Sequence, residues 1–237
     1  MRRAAALALA ALALVGCETT QEKSAKLEKV AKTQARARTR AQQRLQVTRP
    51  STRIAVLATQ VLQSSEGAAA LVTVRNDSAT TMRAVPIQIT VLDAHGASLY
   101  TNATLGLAAS LTSLALLPAH ATETWIDDQV QAAGAAASVR ARVGEGAPVS
   151  GAVPQLAVEG ARLSEGEVEG SVVNRSPVSQ RELVVDAIVR RAGRIVAAGR
   201  AVVPQIEAGG STHFQAFLIG SAQGGRLEVL APATGVG

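Results

Sequence analysis

The chain has one cysteine, four aromatic side chains and three histidines in 237 residues. One cysteine permits no internal disulfide, so an exported fold must stand on core packing alone. It also excludes a cysteine-built zinc site in the folded domains. The few aromatics (Tyr100, Trp125, Phe214 and Phe217) leave little of the stacking surface that sugar- and base-binding proteins use. His95, His120 and His213 occur in no metal-ligand spacing, and no Gly-x-Ser-x-Gly elbow is present. Ser211 and His213 are two apart on an expected strand, sharing a face without having to meet, so no hydrolytic pair is expected. Long apolar runs are lacking too. Ala4 to Val15 would make a helix of roughly 18 Å, against roughly 30 Å for a bilayer core.

What is present begins with that run. Arg2 and Arg3 precede it, and Leu14-Val15-Gly16-Cys17 closes it with the sole cysteine. Charge, length and small-residue site together form a secretory signal. Leu14, Val15, Gly16 and Cys17 resemble the lipobox of bacterial lipoproteins. The resemblance implies a diacylglyceryl group on the Cys17 thiol, removal of residues 1–16, and a palmitate-type acyl chain on the new terminus. Two or more chains make a stable membrane anchor where one is marginal.

The net charge of +6 is unevenly spread. Residues 18–49 hold nine basic side chains (Lys23, Lys26, Lys29, Lys32, Arg36, Arg38, Arg40, Arg44 and Arg49) and three acidic ones, a net +6. Residues 50–237 hold thirteen arginines and fifteen carboxylates, a net −2. The basic character belongs to the tether, so a nucleic-acid groove on the domains is not expected. The tether lacks Gly and Pro and has Glu22–Lys26 and Glu28–Lys32 at helical spacing, which predicts a helix without a coiled-coil stripe. The first eight cations, from Lys23 to Arg44, are candidate contacts to anionic lipid or an anionic wall polymer. A solvated spacer is the plainer alternative.

Beyond Pro50 the sequence becomes rich in Val, Ile, Leu, Ala, Thr and Gly, with short strand-like runs between turn residues. Seven runs in 51–143 and seven in 155–237 predict an all-β protein of two tandem Ig-like β-sandwiches. Residues 144–154 read as the linker. In the first half the runs are Ile54–Leu62, Ala69–Arg75, Val85–Asp93, Ala97–Thr101, Thr112–Leu117, Ala121–Ile126 and Ser138–Val143. In the second they are Leu156–Leu163, Glu167–Val173, Leu183–Arg190, Arg194–Ala198, Ala201–Pro204, Thr212–Ile219 and Leu227–Leu230.

The halves form a weak repeat. Val74-Arg75-Asn76-Asp77-Ser78 falls on Val172-Val173-Asn174-Arg175-Ser176, and the turn before Trp125 falls on that before Phe214. Asn76 and Asn174 are expected to turn the chain with side-chain hydrogen bonds, helped by the serine two residues on. Trp125 and Phe214 are expected to point inward. Val-x-Asn-x-Ser, a long strand, Asp93-Ala94-His95-Gly96 and an aromatic strand resemble the FxLYD-type Ig-like modules of bacterial surface lipoproteins. The resemblance implies an export-associated module without a general catalytic activity.

Two carboxylate groupings and one glycine-rich spot remain. Glu165, Glu167 and Glu169 alternate, which predicts one solvated strand face; a Ca²⁺ row would want an Asp-x-Asp-x-Asp-Gly loop that is missing. Asp127 and Asp128 read as a solvated loop. Gly144-Glu145-Gly146 lacks the lysine of a phosphate loop. No cofactor and no metal are expected. The sequence therefore predicts a lipid-anchored envelope protein, a non-catalytic binding or adaptor module whose partner is an envelope protein or wall polymer. The outer membrane is expected in a Gram-negative cell, because Glu18 replaces the Asp of inner-membrane retention, and the outer face of the cytoplasmic membrane in a Gram-positive one. A structural spacer or assembly factor is the alternative, and a hydrolytic enzyme a remote third.

Overall fold

A computed structural model describes residues 45–237. They form an all-β protein of two stacked sandwiches. The first contains β1 (Ile54–Ser64), β2 (Gly67–Asn76), β3 (Thr81–Leu92), β4 (Ser98–Thr101), β5 (Ser113–Leu117), β6 (Thr122–Val130), β7 (Ser138–Val143) and β8 (Ala147–Val149). One sheet has the order β1-β2-β6; the other is centred on β3, with β4 and β5 along one edge and β7 and β8 along the other. The second contains β9 (Leu156–Ser164), β10 (Glu167–Asn174), β11 (Gln180–Arg191), β12 (Arg194–Ile206), β13 (Ser211–Phe217), β14 (Ile219–Gly220) and β15 (Arg226–Leu230). Its sheets run β13-β10-β9 and β14-β12-β11-β15.

Period-two alternation builds both cores. On β3, Val85, Ile87, Ile89 and Val91 are buried while Gln88 and Thr90 face outward; on β11, Leu183, Val185, Ala187 and Val189 do the same work. Trp125 and Phe214 are both buried, as expected. Trp125 lies opposite Val72, whereas Phe214 lies opposite Gly170, where a Cβ would stand 3.0 Å from the Phe214 ring.

The repeat extends to hydrogen bonds. Asn76 and Asn174 are fully buried. Asn76 Nδ2 donates to the carbonyls of Thr80, Leu117 and Pro118, and its Oδ1 accepts from the Ser78 amide and hydroxyl. Asn174 repeats this with Val178, Glu207 and Ser176. Each corner is followed by a residue in the left-handed region, Ala84 and Glu182 at φ 49° and 48°, where the pairing of β3 with β5 and of β11 with β12 is interrupted without a change of register.

Three readings are corrected. Arg194–Ala198 and Ala201–Pro204 are one strand, β12, because Gly199 lets the Phe217 carbonyl approach where a Cβ would collide. Glu165 is not on the Glu167–Glu169 strand; it occupies the β9–β10 turn with Gly166, at φ 47° and 89°. Asp127 and Asp128 lie on β6, and Asp127 is fully buried. Within 144–154, β8 pairs with Thr81–Arg83 of β3 and so extends the first sandwich's sheet.

Candidate functional site at the joint between the sandwiches

Strand β2 is covered on both faces. Ala68, Ala70, Val72 and Val74 fill the first core. Ala69 and Leu71 face the other way and join Leu62 and Ile126 against Ile188, Ile195, Ala198 and Ile219 of the second sandwich. The β1-β2-β6 sheet therefore packs on the β14-β12-β11-β15 sheet through a third apolar cluster. Gln60 Nε2 adds a hydrogen bond across the joint to the Ile195 carbonyl at 2.8 Å.

Polar groups sit at one side of this cluster. Arg200 of β12 reaches Asp128 of β6 twice, Nε to Oδ1 at 2.9 Å and backbone N to Oδ2 at 3.0 Å. Its Nη1 donates to the Ser110 carbonyl at 2.6 Å, which also accepts from Trp125 Nε1 at 3.0 Å. The two ion-pair side chains are 3% and 14% exposed, so the pair is desolvated as well as bonded. Removing one partner of such a pair costs about 3–5 kcal/mol, because the other is left charged and buried.

Asp186 is the cross-strand neighbour of Arg200 in the β11–β12 ladder. Its Oδ1 is buried without a hydrogen-bond partner, beside a cavity of about 30 Å³. Trp125, Ile126, Val184, Arg200 and Ala233 help line that cavity, which is large enough for a water. Burial pushes the Asp186 carboxyl up to about 7, against the pull of Arg200 and with a push from Glu123 and Asp128. Burial likewise raises Glu123 and Asp127 above the ordinary carboxylate range. Asp127 faces the first core, where it accepts from the Tyr100 hydroxyl at 3.0 Å. Burial, with Asp127 beside it, holds Tyr100 above its ordinary range.

Beyond the joint, a groove of about 590 Å³ runs between Thr59, Gln60 and Thr73 on one side and Arg190, Gly193 and Arg194 on the other. The arrangement offers a proton-binding carboxylate and a shared cation at a joint; it brings together no nucleophile and base. His95, His120 and His213 are exposed and lie on separate elements. No group of three His, Cys, Asp or Glu among the described residues is placed to hold a metal.

The expected lipobox, Leu14, Val15, Gly16 and Cys17, and the tether cations Lys23, Lys26, Lys29, Lys32, Arg36, Arg38, Arg40 and Arg44 lie outside the described residues. Where the described chain begins, the Val47 amide donates to Gln88 Oε1 at 2.9 Å and its side chain is buried. Sequence reasoning passed over Asp186 and Arg200, and read Asp128 as part of a solvated loop. The signal was a charge in the middle of an apolar strand, Asp186 within Leu183–Val189 and Arg200 within Ile195–Val203. No protein-family model and no curated protein matches the chain.

Proposed function

We propose that this is a lipid-anchored protein of a bacterial cell envelope, in which two joined sandwiches act as a non-catalytic adaptor for another envelope protein. Cys17 carries the lipid, residues 1–16 are removed, and the basic segment 18–49 is the tether. The observation that carries the adaptor reading is the joint. An apolar cluster, the Arg200–Asp128 pair and the Gln60 hydrogen bond hold the sandwiches as one body. A partner then meets a preformed surface and does not have to order two loose domains, a saving in binding free energy.

Two experiments test the reading. Mass spectrometry of the mature amino terminus is expected to find diacylglyceryl and acyl chains on Cys17 and none on a Cys17→Ser chain; an unmodified wild-type terminus overturns the anchor. In-cell crosslinking of the lipidated protein is expected to capture one discrete envelope protein through the sandwiches, both with the nine tether cations intact and with them neutralised. Capture that disappears on neutralisation moves the function to the tether and an anionic polymer.

A further inference from the structure

Two carboxylates on different sandwiches flank one arginine. Asp128, on β6 of the first sandwich, holds Arg200 across the joint. Asp186, on β11 of the second, is the in-register neighbour of Arg200 within its own sheet. The charged groups facing Asp186 are Arg200 from β12 and Asp128 and Glu123 from β6. Opposite it β15 brings Leu230, and the tail brings Pro232, Ala233 and Thr234 to the cavity wall. Ordinarily a fully buried carboxylate oxygen finds a donor. Asp186 Oδ1 has none, and a cavity lies beside it.

We propose that Asp186 is a proton-operated competitor for Arg200: neutral, it leaves Arg200 to Asp128 and the sandwiches stay locked; ionised, it draws Arg200 back into its own sheet and the joint loosens. A buried anion needs a cation, and the nearest one is already bonded across the joint. Arg200 commits Nε to Asp128 and Nη1 to Ser110, so its guanidinium retains donors that can turn to a cross-strand neighbour. A guanidinium that turns to Asp186 carries its Nε away from Asp128, so the two carboxylates compete for its position. One winner lies within a sandwich and the other lies across two, so protonation of a single side chain biases a two-state joint. The adjoining cavity gives the carboxylate and a water room to rearrange.

The chain carries its own reporter. Trp125 is the sole tryptophan, it lines the same cavity, and it shares the Ser110 carbonyl with Arg200. The test takes the full-length chain in detergent micelles from pH 5 to 9. It reads Trp125 emission together with amide exchange, by mass spectrometry, over the facing segments 68–72 and 195–198, corrected for the intrinsic pH dependence of exchange. In the wild type, emission is expected to shift near neutral pH, with exchange protection at both segments falling at least tenfold over the same range. Asp186→Asn is expected to hold the joint protected at every pH. Asp128→Asn is expected to leave it open at every pH, while segments 87–91 and 168–172 of the two cores stay protected and certify the fold. The proposal is overturned by protection that does not change with pH in the wild type, by an emission shift without loss of protection, or by an Asp186→Asn chain that still loosens as pH rises.

Discussion

Strands β2 and β10 occupy the same place in the two sandwiches, yet one is buried on both faces and the other on one. The outward residues of β2 are Ala69 and Leu71, and Ile126 stands beside them on β6. Their counterparts in the repeat are Glu167, Glu169 and Gln215, all outside the second core and none fully buried. The inward residues hardly differ in kind: Ala70, Val72 and Val74 against Val168, Gly170 and Val172. Fold and assembly are thus written on opposite sides of one strand. The inner face keeps what a sandwich needs, and the outer face records whether another sheet covers it.

Breaking what the two sandwiches share should have the largest effect. Asn76→Ala strands three carbonyls and is expected to cost about 5 kcal/mol in chemical denaturation; Asn174→Ala strands two and costs about 4 kcal/mol. Equal losses would show that the third acceptor contributes nothing. The joint comes next. The Asp186 carboxyl titrates near 7 when folded against 3.8 in its ordinary state, so the native protein binds the extra proton between those values. Stability therefore falls as pH rises from about 4 to about 7, by up to about 4 kcal/mol, and levels off above that. Denaturation across this window should show that slope for the wild type and lose it in Asp186→Asn.

Within the covered strand, Leu71→Ala is expected to cost about 3 kcal/mol and to speed exchange across the joint. Gly170→Val, which copies Val72 into the second sandwich, crowds Phe214 and Ala161 and should cost about 2 kcal/mol by thermal or chemical unfolding. Smallest of all, Glu169→Ala on the solvated face should stay within about 0.5 kcal/mol. A larger loss there would mean that this face is covered after all.

Much of the fold was legible because strands announce themselves by alternation. Ser138–Val143 was readable to the residue, and the Asn-x-Ser corners were readable from side-chain chemistry alone. The β12 strand was read as two because Gly199 and Arg200 interrupt it, and the contact that makes the glycine necessary comes from β13. Asp127 and Asp128 looked like a loop because paired carboxylates usually seek water; Tyr100 and Arg200, 27 and 72 residues away, are what pull them inside. The joint itself left a trace in the unbroken apolar run Ala68–Val72, too short to separate from an ordinary core strand without its partner.

The two sandwiches meet through unlike faces, the β1-β2-β6 side of one against the β11-centred side of the next. A contact of that kind does not close on itself, and nothing in its geometry stops a third or a hundredth unit from adding by the same step. The sheet faces outside the joint differ from it in chemistry. The free face of the second sandwich presents Glu167, Glu169 and Gln215 where the joint has Ala69, Leu71 and Ile126. The β3-centred face of the first carries Gln88, which accepts from the Val47 amide, and Thr90 where the joint has Asp186 and Ile188. Polar side chains on these two faces thus stand where the joint carries most of its apolar contact.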